Sequence, residues 1–277
     1  MRVAVIPNEK AAGVCMSFER VCEALADLGA EVVIPAHPEQ FPSGATDDAI
    51  RDSDVTVALG GDGTIIHVAK RAARFGRAVL GVNGGRLGFM AGLESNELEQ
   101  LSALIQGNYT VEQRLMLDIE VRDGQKTRTF HALNEAVISR GALSRLIELD
   151  VANHGEPVVN YQADGVIIAT PTGSTAYSLS AGGPIVDPSV GCMVLTPICP
   201  HSLYARSYVF APSAELNVKV VLPAETEAFL TLDGEEGIAI SEQESIAVRA
   251  SDVCARLIKI KSQSFYDLLS RKLINRR

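Results

Sequence analysis

Asp54-Val-Thr-Val-Ala-Leu-Gly-Gly-Asp-Gly-Thr64 joins a short β-branched run, a glycine-rich turn and the start of a helix in one continuous piece. Asp54 to Leu59 reads as a strand. Ile65, Ile66, Val68, Ala69 and Ala72 then put apolar groups on one side of a helix expected to end near Phe75-Gly76. Glycines at 60, 61 and 63 open backbone conformations closed to other residues and let a ligand approach the N–H groups closely. The first amides of the helix point the same way and favour an anion. The turn thus reads as a phosphate cradle whose only charged occupant is Asp62. A tight turn with a helix cap accounts for the same residues, and this stretch alone does not separate the two. The lysine of a Walker A loop is absent, and a dinucleotide G-x-G-x-x-G fails at Ile66.

On either side, strand and helix alternate. Arg2 to Ile6 is strand-like; Phe18, Val21, Cys22, Leu25 and Leu28 recur at helical spacing, with Gly29 as the stop. Glu31 to Pro35 gives a second strand, followed by a polar loop rich in Pro, Gly and Asp, and Ala78 to Val82 gives a further strand. Ser95 or Asn96 caps a helix through Ile105 that Gly107 closes. Such repeated units predict a parallel sheet covered by helices on both faces, a Rossmann-like α/β domain over residues 1–108. Ligands on such sheets sit at the carboxyl ends of strands, where Gly60 to Thr64 and Asn83 to Phe89 both fall.

From about residue 109 the pattern changes. Val111 to Val121 is strand-like, Asp123-Gly124 is a hairpin signal, and Thr127 to Leu133 returns. Asn153-His154-Gly155 and Asp233-Gly234 mark further reversals between short strands at Ile147–Val151, Val166–Ala169, Met193–Leu195, Leu216–Leu222, Ala228–Leu232, Ile246–Ala250 and Arg256–Ile260. Residues 109–261 therefore read as a β-sandwich or related all-β domain. The last segment, Phe265 to Ile274, is helical with Leu268, Leu269 and Leu273 on one side, and residues 262–277 are expected to fold back onto the first domain.

The totals limit the partners. With 277 residues, 47% hydrophobic and 21% charged, the chain can bury a large core and is long enough for two modest domains. A net charge of −9 argues against a nucleic-acid or anionic-membrane surface. A phosphate ligand would have its charge met locally, by backbone amides, a few arginines or a metal. The five cysteines are odd in number and never form a C-x-x-C pair, which points to a reduced, cytoplasmic protein. Cys192, Cys199 and His201 lie close enough in sequence for a zinc site only if a fourth ligand comes from afar. No signal-peptide layout and no apolar run of spanning length is present.

A second motif stands at Thr170-Pro-Thr-Gly-Ser-Thr-Ala-Tyr-Ser-Leu-Ser-Ala-Gly-Gly-Pro184, directly after a strand. It gathers Ser and Thr hydroxyls and glycines around Tyr177. Buried, it would leave many donors unpaired, so it is expected to line a wet pocket that binds a polar ligand. Asp164-Gly165 adds a carboxylate suited to ribose hydroxyls. A serine hydrolase elbow fails because Ser178 stands where its first glycine belongs.

Together, Gly60-Gly-Asp-Gly-Thr64, Asn83-Gly-Gly-Arg-Leu-Gly-Phe89, Asn134-Glu135, Asp164-Gly165 and Thr170 to Pro184 occur in the order and spacing of bacterial NAD kinases, which the chain resembles from end to end. The first pattern is shared with lipid kinases, and the long hydroxyl-rich segment is the specific part. The resemblance implies that NAD lies in a cleft between an α/β domain and a β-rich domain. It makes Asp62 the proton acceptor, with Gly61, Gly63 and Thr64 beside it, Asn134 and Glu135 the adenosine-binding pair, and Phe89 the aromatic near the adenine. Asp164, Thr175, Ala176, Tyr177, Ser178 and Ser180 become further dinucleotide contacts, and His67 and Arg145 basic or polar ones. It also implies a divalent cation, Mg²⁺ above all, ATP or polyphosphate as phosphoryl donor, and a homotetramer. The chain departs from the family pattern at Gln162, where many members carry Arg, and at Glu235, where they carry Gln.

The implied reaction moves a γ-phosphoryl group onto the adenosine 2′-hydroxyl. A free aspartate, with a pKa of about 3.9, is a weak base toward an alcohol. Phosphoryl transfer needs little early deprotonation, so orienting the hydroxyl and accepting its proton late is enough. A metal cluster of Asp62, Glu135 and Asp164 stays open as an alternative, although a lone Mg²⁺ on a kinase leans on phosphates and water. Two other functions stay open as well. A lipid kinase would need an apolar groove, for which residues 170–184 are the wrong lining, and a non-catalytic dinucleotide sensor would have no use for Asp62.

Overall fold

The computed structural model of the chain describes residues 1–7, 14–36, 44–84, 88–124, 126–141, 145–262 and 264–274. It divides into two units, Met1–Gln113 with Ala255–Arg277, and Arg114–Cys254.

The first unit contains β1 (Arg2–Pro7), α1 (Val14–Asp27), β2 (Glu31–Val33), α2 (Gly44–Arg51), β3 (Val55–Leu59), α3 (Asp62–Ala73), β4 (Ala78–Asn83), β5 (Leu93–Glu94), α4 (Leu101–Ile105) and β6 (Thr110–Arg114). The sheet runs β2-β1-β3-β4-β19-β6 with β5 on β4, where β19 (Ala255–Lys259) arrives from late in the chain. The β1–β2, β1–β3, β3–β4 and β4–β19 pairs are parallel. Because side chains alternate along a strand, Val3, Val5, Val55, Val57, Leu59, Leu80 and Val82 meet Val21 and Leu25 of α1 and Leu101 and Leu104 of α4 in one core. Each of the fully buried leucines contributes roughly 1.5–3 kcal/mol. Helix α3 packs on the same strands through Ile65, whose Cδ1 lies 2.6 Å from where a Cβ on Gly81 would stand, so β4 needs a glycine there.

Several expectations change in detail. The polar stretch after β2 contains α2, which docks through Thr46, Ala49 and Ile50 and through an Asp47–Arg71 ion pair of 2.6 Å to α3. The helix expected from Ser95 or Asn96 starts later, with a single turn at Leu98–Gln100 before α4 and no side-chain cap. Glu97 there accepts the Glu94 N–H and pairs with Lys261. The strand expected over 111–121 breaks after Arg114, its first part joining the parallel sheet and its second the antiparallel unit. The strand at 255–259, expected in the β-rich domain, pairs with β4 in the first unit instead.

The second unit holds β7 (Leu117–Asp123), β8 (Lys126–Ala132), β9 (Glu135–Arg140), β10 (Ile147–Asn153), β11 (Glu156–Ala163), β12 (Gly165–Ala169), α5 (Tyr177–Ser180), β13 (Met193–Ile198), β14 (Tyr208–Phe210), β15 (Glu215–Val221), β16 (Ala228–Leu232), β17 (Ile238–Ile240) and β18 (Ser245–Ala250). They form two six-stranded sheets, β11-β10-β15-β18-β7-β8 and β14-β13-β12-β9-β16-β17. Inward residues of both, among them Leu117, Ile119, Ile138, Leu149, Val166, Ile168, Leu195, Val218, Leu230 and Val248, share one core. Two sheets sharing one core make a β-sandwich. The other face of the second sheet carries a small cluster of Val137, Ile167, Ala169 and Ile198. The chain then returns to the first unit through β19 and α6 (Phe265–Ile274). Cys22, Cys192, Cys199 and Cys254 are free thiols, and among the described residues no helix is long and apolar enough to cross a membrane.

Candidate active site

Strand β3 ends at Leu59 and α3 begins at Asp62, with Gly61 at its N-cap and no side chain capping it. The three turn glycines differ. Gly60 donates to the carbonyl of Val82 at 3.1 Å, and a Cβ on it would stand 2.5 Å from Oγ1 of Thr64, which is itself buried. Around Gly61 and Gly63 a Cβ would meet nothing within 4 Å among the described residues. Packing thus explains Gly60, and no described atom crowds the other two.

The Asp62 carboxylate turns toward the segment after β4. Its Oδ2 accepts the N–H of Phe89 at 2.8 Å and its Oδ1 the N–H of Met90 at 3.1 Å. Gly88 makes this possible: a Cβ there would lie 2.0 Å from Oδ1. Asp62 Oδ2 also lies 3.5 Å from Nζ of Lys272, and its side chain keeps 31% exposure. The Lys272 ammonium sits 4.1 Å from the centroid of the Phe89 ring, which is tilted against Phe265 at 6.5 Å. His67 is half-buried further along α3. Gly85, Arg86 and Leu87 of the second glycine motif lie outside the described residues. A phosphate oxygen about 4 Å from Asp62 would meet about 4 kcal/mol of repulsion at an effective dielectric of about 20, so a donor at this loop needs opposing charge close by.

In the second unit the decisive corner is Leu133-Asn134-Glu135. Asp233 accepts all three of its N–H groups, from Leu133 at 2.9 Å, Asn134 at 2.7 Å and Glu135 at 3.1 Å, and its own N–H returns to the carbonyl of Glu135. Asp233 pays for this with a left-handed backbone at φ 50°. The expectation that Asp233-Gly234 was only a turn misses this second role. Thr170 locks the 170–184 segment onto the same corner, its N–H bonding the carbonyl of Asn134 and its Oγ1 that of Leu133. A Cβ on Gly173 would stand 2.1 Å from the Asn134 carbonyl oxygen.

Glu135 is 5% exposed, and its Oε2 finds no hydrogen-bond partner among the described residues. Burial, and then the nearby Asp233 charge, push its pKa from 4.5 up to about 8, which the Tyr177 amide only partly offsets. An orphaned, buried carboxyl oxygen of this kind is a place for a ligand hydroxyl or amide.

The 170–184 segment is less of a pocket lining than its composition predicts. Ser174 bonds the carbonyls of Pro171 and Val186, and the fully buried Ser178 bonds Thr196 Oγ1 at 3.1 Å. Gly183 lets that pair form, since a Cβ there would lie 2.3 Å from Ser178 Oγ. Of the residues assigned to the ligand, Tyr177 and Ser180 are exposed and Thr175 and Ala176 half-buried, whereas Ser178 is buried and its hydroxyl bonds Thr196. Asp164 is bound by Nε of Arg140 at 2.6 Å, a partner the sequence reading missed. Arg145 lines a recess of about 490 Å³ together with Glu148, Gln162 and Leu222. Exposed His201 donates its backbone N–H to the carbonyl of Gln162. No group of three or more His, Cys, Asp or Glu among the described residues could hold a metal ion.

Residues 16–109 match the ATP-NAD kinase N-terminal domain, and residues 133–260 the ATP-NAD kinase C-terminal domain. The chain belongs to the NAD kinase family. An NAD kinase of Symbiobacterium thermophilum is 40% identical over 279 aligned positions that cover 98% of each chain. Yeast NADH kinase, solved with NADH, is similar over 100% of this chain and 88% of its own, with a TM-score of 0.87 and 26% identity. The NAD kinase from Archaeoglobus fulgidus, solved with ATP, is similar over 99% of both chains, with a TM-score of 0.79 and 27% identity. With NAD and NADH kinases on every side, the lipid-kinase and sensor readings are left without support.

Proposed function

We propose that this NAD kinase, a phosphotransferase, moves the γ-phosphoryl group of ATP, or a phosphoryl group of polyphosphate, to the adenosine 2′-hydroxyl of NAD and so makes NADP. The observation that carries the assignment of roles is the seating of Asp62. It is the first residue of a helix whose leading amides carry no side-chain cap, and it is held by the Phe89 and Met90 amides yet still open to solvent. That arrangement suits a donor phosphate on the amides of Gly61, Gly63 and Thr64 and an acceptor hydroxyl on Asp62.

Asp62 orients the 2′-hydroxyl and takes its proton as the bond to phosphorus forms. The two amides fix its direction before substrate arrives, so little reorganisation remains at the moment of transfer. Phe89 offers an aromatic face for the adenine. In the second unit Asn134, Glu135 and Asp164 bind the sugars of the dinucleotide, and Thr175, Ala176, Tyr177 and Ser180 contribute outward-facing polar and apolar surface. Ser178 supports them from behind. His67 and Arg145 stay assigned as weaker polar contacts. A bound divalent cation, Mg²⁺ by resemblance, would neutralise charge on the donor phosphates. A lone Mg²⁺ on a kinase leans on phosphates and water, so the cation would arrive with the donor. The family resemblance also supports a homotetramer working in the cytoplasm, which sedimentation and cell fractionation test.

The test is an assay of NADP formation, run with ATP and with polyphosphate, with and without Mg²⁺, on the wild-type chain and Asp62→Asn. We expect turnover to fall by about 10²–10⁴ in the variant while NAD affinity stays within a few-fold. Asn offers only one acceptor oxygen, so either the Phe89 or the Met90 amide loses its partner and the melting temperature falls modestly. Near wild-type turnover would overturn the assignment.

A further inference from the structure

The donor loop lacks a cation of its own. Between Gly60 and Thr64 the single charge is the negative one of Asp62, and a triphosphate brings several more. The C-terminal helix supplies the opposite sign. Leu268 anchors α6 at 7% exposure, and Lys272, four residues on, stands on the same helical face. A lysine on an anchoring face calls for a polar partner, because its ammonium is costly to bury unpaired.

Its surroundings supply that partner. Nζ lies 3.5 Å from Asp62 Oδ2 and 4.1 Å from the centroid of the Phe89 ring. The Lys272 side chain keeps 24% exposure, so the head is not sealed off. The Phe265 ring, one end of α6, rests against Phe89, whose amide holds the same Asp62 oxygen. Helix, aromatic ring and carboxylate are thus one packed group. Asp62 is already oriented by the Phe89 and Met90 amides without help from the lysine. At 3.5 Å the ion pair is loose, and an ammonium carries three N–H donors. Lys272 therefore has donors to spare beside the carboxylate.

We propose that Lys272 binds the transferring γ-phosphoryl group of the donor, holding it against Asp62. The inference rests on the reading that the 60–64 loop seats the donor. As the bond from phosphorus to the leaving ADP oxygen breaks and the bond to the 2′-oxygen forms, the hydroxyl proton passes to Asp62. Lys272 stays protonated throughout and shields the phosphoryl oxygens from that carboxylate. The α6 helix thus completes the donor site with the charge the loop lacks.

The test compares Lys272→Met, Lys272→Gln and Lys272→Arg in the full chain, with ATP varied at saturating NAD and NAD varied at saturating ATP. K272M and K272Q should raise KM for ATP by about ten-fold or more and lower kcat by a similar factor, with KM for NAD within about two-fold. K272R should recover most of both. Binding of β,γ-methylene ATP should weaken in K272M while binding of ADP, which lacks the γ-phosphoryl, stays unchanged. The proposal is overturned if K272Q and K272M keep wild-type ATP kinetics, if they lose ADP and the triphosphate analogue equally, or if activity rises. Asp62→Asn run alongside separates the two readings. Full turnover in D62N sinks the loop assignment, whereas an inactive D62N beside a normal K272M sinks only the role of Lys272.

Discussion

Asp62 and Glu135 are both acidic residues at a motif corner, and the fold treats them in opposite ways. Asp62 sits at the mouth of a helix with solvent at hand and is surrounded by donors, the Phe89 and Met90 amides and the Lys272 ammonium. Glu135 is buried, has an oxygen with no partner among the described residues, and faces the negative charge of Asp233. The first environment holds a carboxylate in one direction, so that it can point a hydroxyl. The second holds a carboxyl near neutrality, able to donate as well as accept, which suits recognition of a sugar. Burial makes the difference first, and the Asp233 charge adds to it. Asp233 also takes up the N–H groups of Leu133 to Glu135, so that of the backbone amides near it only that of Tyr177 reaches the Glu135 carboxyl.

The hardest blow to the first environment is Gly88→Ala. Its Cβ would stand 2.0 Å from Asp62 Oδ1, so the carboxylate must leave its amides. Turnover should drop by about 10²-fold or more, since misplacing a reacting group by about an ångström costs that much. The melting temperature should move by only a few degrees. An active G88A would mean that the observed seating of Asp62 is not the working one.

The second environment breaks through pH. The Glu135 pKa is raised in the folded chain from 4.5 to about 8, so the native state holds an extra proton between those values. Its contribution to stability is therefore full below about pH 4.5 and is lost as pH rises through about 8, by an amount of order 5 kcal/mol. Urea unfolding at pH 6 and pH 9 reads this, and Glu135→Gln should flatten the slope. Asp233→Asn should shift the pH midpoint of NAD binding downward, because it removes a like charge from Glu135. It should also destabilise the fold by about 1–3 kcal/mol through the amides it leaves short of acceptors. A D233N chain with an unmoved midpoint would show that burial alone sets Glu135.

The smallest effects separate the turn glycines. Gly60→Ala pushes a Cβ into Thr64 and should lower stability, while Gly61→Ala meets no described residue and should leave the melting temperature unchanged. Only the latter should raise KM for ATP without unfolding, by several-fold, if its amide faces the donor. Equal behaviour of the two variants would erase the distinction between packing glycine and binding glycine.

Much of this was legible from local pattern. The strand, turn and helix from Val55 to Ala73 follow from β-branched residues, glycines and a 3.6-residue apolar repeat that lie next to one another in the chain. The α2 helix was not legible, since Gly44 to Arg51 gives barely two turns of periodicity after a loop-like stretch. The 255–259 strand looked like its neighbours, because a strand's own alternation does not say which sheet it joins. Not every hydroxyl of 170–184 faces outward. Thr170, Ser174 and Ser178 bond carbonyls and a hydroxyl of their own fold, partners that composition does not reveal.

The sequence by itself determined the element types, the α/β-then-β order and the family motifs, because backbone preference, side-chain period and turn chemistry act between near neighbours. Tertiary structure alone decided what each motif's charge meets. Asp233 reaches its amides at Leu133 to Glu135 from about a hundred residues away, and Lys272 reaches Asp62 from the far end of the chain. Such pairings are settled only when the strands and helices carrying them pack together, and the field at each carboxylate depends on them.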